Sequence, residues 1–454
     1  MKGKLRGFKR WKQGVLLLSI MTLLSGCFGS KPVLEELGKD GNGKLKILFN
    51  DEKWFFQEYG DAFTLHYPNI EIEVVETRHL IQQQTEKGMD YETALAQLID
   101  EQRPDVLTLA PLYYEKFALD GKLYNIEPII KQEQFDLAGY MPGLIDMMRE
   151  QGSGTLYGLT PYFHTEVIYY NADVFKSNGI ELPKSGMSWQ ELFDLAARFE
   201  NTGMPGLYAG DEQADQMLYR VASTLSLQMF DGKGEHVRLE SEGWKQAYTM
   251  VTDAIRTGAL QTRKWGDTSY LRSENHLFLQ GKAAMTISGS NLIHQLNDSR
   301  NKKASKMDWG IVPVPVDPVY PNETPSANAY EYFAIHAQSS NKRAAWEFVK
   351  YINSPEMAKA SSSIYYKLPT RTGFVKSVRG KSTDPFYALQ IKNRKHEYVS
   401  KRIPDEFNST YAPLRAEALR SITANERTVD EALAELQNKA QAVLQQVRRK
   451  SSGK

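Results

Sequence analysis

The chain has one cysteine, Cys27, among 454 residues, and this limits how everything after it can be held together. Neither an intramolecular disulfide nor a thiolate metal site is available, so stability must come from a buried apolar core. The context of Cys27 is equally informative. It closes Leu24-Ser25-Gly26-Cys27, at the end of an apolar run from Val15 to Leu24 that follows six basic residues and no acidic one. A positive segment, a short apolar segment and small residues before a cut make a secretory leader. The cysteine in fourth place makes it resemble a lipobox, with cleavage before Cys27 and a diacylglyceryl group on its thiol. An ordinary signal peptide or an uncleaved anchor is the alternative, but the run falls short of the roughly 20 residues of a spanning helix.

Loss of residues 1–26 leaves 50 Lys+Arg against 55 Asp+Glu, which moves the formal charge from +1 to −5. A mildly acidic chain argues against a nucleic-acid partner, which would require a basic face. Arg448, Arg449, Lys450 and Lys454 read as a solvated helix end. About 430 residues suffice for two domains, and 41% hydrophobic with 11% aromatic residues is the composition of a globular chain.

Residues 27–43 are aperiodic and rich in Gly and charge, as expected for a tether; order is predicted from Lys44. Strands at Lys44–Phe49, Ile70–Val75 and Asp105–Leu109 alternate with helices at Trp54–His66 and Tyr91–Asp100, a βαβ rhythm that indicates an α/β domain. A second block starts at Thr160-Pro161, with an extended run Glu166–Tyr170 and a helix Ser188–Glu200 opened by a Ser188/Glu191 capping box. Helices are expected at Asp211–Leu225, Glu240–Arg256 and Glu274–Leu279, strands at Ala283–Ile287 and Tyr330–His336, and mostly helix from Lys342 onward.

These residues carry a resemblance. Leu159-Thr160-Pro161-Tyr162, then Ile168 to Phe175 (IYYNADVF), then Ser188-Trp189-Gln190-Glu191-Leu192, are similar to a passage of the family 1 extracellular solute-binding proteins, the receptors of ABC importers, of which maltose-binding protein is a familiar member. Phe278–Met285 (FLQGKAAM), Asn341–Phe348 (NKRAAWEF) and Thr428–Leu433 (TVDEAL) agree in order. The resemblance implies an α/β fold of the periplasmic-binding-protein-like type II: two α/β lobes, a ligand cleft and three inter-lobe crossings, near Pro161–Tyr162, Trp309–Pro315 and Ser340–Trp346. The lobes are then 44–161 plus 313–343, and 162–312 plus 344–454. It also implies a monomeric receptor without a cofactor, lipid-anchored at the cell membrane on the extracellular face, in a Gram-positive setting for preference, and partnered by ABC importer membrane subunits and a carbohydrate ligand, an oligosaccharide above all.

The resemblance places candidate ligand contacts at Asp51 and Trp54 after the first strand, at Tyr162 and His164 after the first crossing, and at Asn291, Asn328, Tyr330, Tyr366 and Tyr411. Aromatic faces stack on sugar C–H surfaces, while carboxylates and amides pair with hydroxyls. His164 stands where the maltose receptor often has a carboxylate, so maltose itself is not implied. Tyr365 and Arg371 are further wall candidates. Against each stands a structural reading: Asp51 as a helix-terminal charge, Trp54 as core, His164 as a satisfied histidine, any tyrosine as packing.

Enzymatic signatures are absent from the sequence: no HExxH, GxSxG or GxxxxGK[ST] occurs, and the eight histidines lack ligand spacing. The acidic neighbours Asp51-Glu52 and Glu71-x-Glu73 do not supply two carboxylates facing each other across a sugar. Asp40-Gly41-Asn42-Gly43-Lys44 lacks the later ligands of a calcium loop. A non-transport sugar sensor is the closer alternative and a surface glycosidase the more distant one.

Overall fold

In β1 (Gly43–Phe49), Leu45, Ile47, Leu48 and Phe49 are all buried, as a strand covered on both faces requires. The computed structural model describes residues 33–210, 212–263, 276–361, 367–375, 377–392 and 403–452. β1 pairs in parallel with β2 (Ile70–Glu76) and β3 (Val106–Leu109). β13 (Tyr332–Ile335) then runs antiparallel between β3 and β4 (Gly158–Leu159), giving the order β2-β1-β3-β13-β4. The second sheet has the order β10-β6-β9-β7-β8, from β6 (Glu166–Asn171), β7 (Leu207–Ala209), β8 (Leu260–Thr262), β9 (Met285–Gly289) and β10 (Trp309–Pro313). Each sheet with its helices forms one lobe.

Between the lobes lies a third, very small sheet. β5 (Tyr162–His164) is flanked by β12 (Asn328–Ala329) and β14 (Leu368–Pro369), with Asn328 opposite His164 and Leu368 opposite Phe163. Two short ladders complete the strands: β11 (Glu323–Thr324) with β17 (Gln390–Ile391), and β15 (Ser377–Val378) with β16 (Lys381–Ser382).

Helices clothe the second sheet. The helix Trp189–Ala197 opens with Ser188 accepting from the Glu191 N–H and Glu191 accepting from the Ser188 N–H at 2.7 Å, the predicted capping box. Glu242–Arg256 packs against Ala214–Thr224, Asp405–Thr423 and Val429–Ser452. The last of these buries Ala432, Leu433, Leu436, Ala440 and Leu444, the stripe of an amphipathic helix.

Four expectations need correction. The second crossing lies beyond Trp309–Pro315, since Pro313 of β10 still pairs with Val167 and Val314 and Val316 are buried in the second-lobe core. The third crossing does not fall near Ser340–Trp346, and residues 344–360 do not belong to the second lobe. The helix Lys342–Ile352 buries Ala344, Ala345, Trp346, Phe348 and Val349 and packs on β1, β13 and the helix Asp61–His66 of the first lobe. Thr372 still donates its N–H to the Gly139 carbonyl in that lobe, whereas Arg379 donates to the carbonyls of Ser305 and Asn297 in the other; the chain passes between them. Order begins before Lys44, since Leu34 is buried in the first-lobe core and the Val33 N–H donates to Gln132. The stretch after Ile352 is less helical than expected, because β14 to β17 pair there. Cys27 and the leader lie outside the described residues.

Candidate functional site

The two main sheets present matching edges to the small sheet between them. In the first lobe, β1 and β3 end where β13 begins, with Leu109 opposite Tyr332, and carboxyl ends of parallel strands are where α/β sheets bind ligands. The helix from Glu52 starts at this edge. Asp51 is its N-cap, accepting from the Trp54 N–H at 3.0 Å, and its other oxygen accepts from Arg78 at 2.8 Å. Both oxygens are thus engaged structurally. Trp54, by contrast, is 58% exposed; it is not core.

In the second lobe, Glu166 opens β6 opposite Gly289, the end of β9, and β7 runs parallel to β9 and leads to Glu212. Glu166 and Glu212 line a cavity of about 410 Å³ that also takes in His164, Asn328, Trp189 and residues of the helix Ala214–Thr224. Arg220 on that helix is clasped by two carboxylates. Its Nε donates to both Glu212 oxygens at 2.8 Å and one terminal nitrogen donates to Glu166 at 2.8 Å. Closer contacts join that same nitrogen to Glu212 and the other terminal nitrogen to Glu166. Burial pushes the Glu166 carboxyl up, but the hydrogen bonds and charge of Arg220, with help from His164, outweigh this and leave it below the ordinary carboxylate value. Burial also holds the His164 imidazole below its usual value, with Glu166 opposing and Arg220 reinforcing, so it is neutral at pH 7.

The hinge strand joins the two edges. The ring of His164 meets the Tyr330 hydroxyl at 3.4 Å, and a Cβ placed on Gly289 would lie 2.7 Å from His164 Cε1 and 3.6 Å from Asn291 Oδ1. His164, Asn328, Tyr330 and Asn291 are therefore brought together, the last three exposed. Tyr162 is buried beside Tyr59, with Lys367 5.3 Å from its ring centroid. It supports the hinge rather than facing the cavity. Tyr366 lies outside the described residues.

Tyr411 is a correction. It is 2% exposed within the second-lobe core, stacked on Phe407 at 5.3 Å with Arg415 over its ring, so it offers no free face. Arg371 is also interior: it donates to Asn353 and Asp136 and lies over Tyr140. The residues missed from sequence are Glu166, Glu212 and Arg220. A usable signal for Glu166 was a charge opening an otherwise apolar strand, E-V-I-Y-Y.

Two α/β lobes, a small three-strand sheet between them and a polar cavity where that sheet meets the second lobe are the architecture of a two-lobed ligand-binding protein. The profile of the bacterial extracellular solute-binding proteins matches residues 51–359, and the chain belongs to that family. The sn-glycerol-3-phosphate-binding periplasmic protein UgpB of Shigella dysenteriae is 24% identical over 193 residues, 40% of this chain and 41% of that relative's length. Among solved structures, the sugar-binding protein MalE of Xanthomonas citri superposes with a TM-score of 0.64 at 16% identity, covering 90% of this chain and 100% of that one. The substrate-binding protein Lmo0181 of Listeria monocytogenes, in complex with cycloalternan, gives 0.59 at 16% identity over 88% and 98%. UgpB of Mycobacterium tuberculosis, with glycerophosphocholine, gives 0.56 at 18% over 89% and 100%. At these identities the likeness is one of fold.

Proposed function

We propose that the chain is the substrate-binding lipoprotein of an ABC importer and captures a carbohydrate, an oligosaccharide for preference, between two lobes that close on the β12-β5-β14 hinge. The observation that carries this reading is the chemistry of the cavity. Its Glu166 carboxylate retains acceptor positions for hydroxyl groups, its amides and hydroxyls add directional partners, and the one guanidinium among the described lining residues is already neutralised. That suits an uncharged polyol better than a phosphate. Two fold neighbours, Lmo0181 and the GacH receptor of Streptomyces glaucescens, form complexes with cycloalternan and acarbose respectively. A second reading, glycerol phosphate, is favoured only by the partial match to UgpB.

His164, Asn291, Asn328 and Tyr330 are the proposed contacts at the hinge side, and Trp54 is a stacking platform from the first lobe. Thermal-shift screening of the protein against a glycan library should find a stabilising sugar; stabilisation by glycerol phosphate or peptides and by no sugar would overturn the assignment. Trp54→Ala should weaken binding of that sugar by about five-fold or more, the loss of a stacking face worth roughly 1 kcal/mol. The ligand-free melting temperature should hardly move, because a half-exposed ring carries little of the core. A large drop in that temperature would place Trp54 in the packing instead.

Anchoring belongs to the same reading. Cys27 would carry two acyl chains, enough for stable membrane attachment, on the outer face of a Gram-positive cell, where a receptor without a tether would be lost. The intact mass of membrane-extracted protein tests this, and a free Cys27 thiol refutes it.

A further inference from the structure

Arg220 sits in the cavity wall on the same helix as Gln216, Tyr219 and Ser223, where a ligand would meet it, yet its guanidinium is spoken for. A guanidinium is planar and presents a fork that matches carboxylate and phosphate oxygens. Here that fork is filled from within the protein, by Glu166 on one side and Glu212 on the other. We infer that Glu166 and Glu212 are specificity-determining residues: they occupy Arg220 and close the cavity to phosphate- and carboxylate-bearing ligands, leaving a latent anion site beneath a hydroxyl-reading one.

The inference rests on the carbohydrate reading above and extends it. Two carboxylates against one guanidinium leave the group at a net charge of −1, and His164 adds nothing at pH 7 because burial keeps it neutral. Among the described residues lining the cavity, Arg220 is the only Lys or Arg. An entering phosphate would have to displace a carboxylate that is both bidentate and mostly buried, with side-chain exposures of 16% for Glu166 and 14% for Glu212, and would meet like charge while doing so. A sugar hydroxyl need displace nothing, since it can donate to the Glu166 oxygens while these keep their bonds to Arg220. The lock is also simple to open. Glutamine at both positions preserves shape and an acceptor oxygen while turning the net charge from −1 to +1.

The test is calorimetric titration of the full chain with sn-glycerol 3-phosphate and with inorganic phosphate at low salt, beside the best sugar from the screen. The wild type is expected to bind neither phosphate compound measurably. E166Q/E212Q is expected to gain at least about ten-fold in affinity for glycerol 3-phosphate, with the gain falling as salt rises. Tight binding of glycerol 3-phosphate by the wild type would overturn both the lock and the carbohydrate reading. A folded double variant that binds the sugar but gains no phosphate affinity would overturn the lock alone. If the double variant does not fold, E166Q and E212Q are titrated singly: each brings the trio from −1 to neutral and frees one side of the fork, so a gain in either supports the lock and no gain in both overturns it.

Discussion

Tyr411→Ala is expected to destabilise the ligand-free protein by about 3–5 kcal/mol, the range for deleting a buried aromatic ring. The ring is 2% exposed and lies between Phe407 and the Arg415 guanidinium, so the substitution opens a cavity and removes a stacking partner together. Arg415 also reaches Asp215 at 2.6 Å and covers the Tyr219 ring at 4.4 Å. The helices Asp405–Thr423 and Ala214–Thr224 therefore loosen as a pair. For a lobe of this size the melting temperature should fall on the order of 10 °C, measured by calorimetry. Tyr411→Phe keeps the ring and should recover most of the loss. A ligand-free protein that melts unchanged as Tyr411→Ala but no longer binds sugar would return this residue to the binding surface.

Arg220→Ala should cost about 3 kcal/mol at neutral pH, since it strands two mostly buried carboxylates without their counter-ion. Its pH dependence distinguishes it from an ordinary packing loss. In the wild type the Glu166 carboxyl is held below its ordinary value of 4.5, as the hydrogen bonds and charge of Arg220 overcome the desolvation that raises it. Its contribution is present above the unfolded value and is lost as pH falls through the folded one. Without Arg220 desolvation outweighs the remaining pull of His164 and the folded value rises above the unfolded one, so acid relieves the penalty. The difference between variant and wild type should therefore shrink from pH 7 toward pH 4 in chemical denaturation. A difference that stays constant would mean that Arg220 acts through packing alone.

What the sequence made legible was what local pattern encodes. The apolar runs of β1 and β3, the alternating pattern of β2 and the Ser188 capping box follow from periodicity and cap chemistry, which need no distant partner. The hinge strands could not be read this way. β12 and β14 are two residues long, and they exist because β5, more than 160 residues away, lies between them. The Lys342–Ile352 helix is legible as a helix but its lobe is not, because amphipathicity shows that a face is buried and not which sheet covers it. Tyr411 failed for the same reason: an aromatic near a helix start looks alike whether its face meets solvent or Phe407. Trp54 and His164 stood out by position, while Glu166, Glu212 and Arg220 become one feature only when three separate segments converge.

The hinge sheet has a consequence for the order of events. His164 belongs to the pivot strand and to the cavity wall at once, with Asn328 paired to it and Tyr330 against its ring. In a lever, points near the fulcrum travel little while the far ends sweep widely. Contacts made at His164, Asn328 and Tyr330 can thus form at any angle between the lobes, and those that bridge the outer edges exist at one angle only. A guest would gain its foothold beside the fulcrum first and be gripped from the rim afterwards. Release would run backwards, with the rim letting go while the fulcrum still holds.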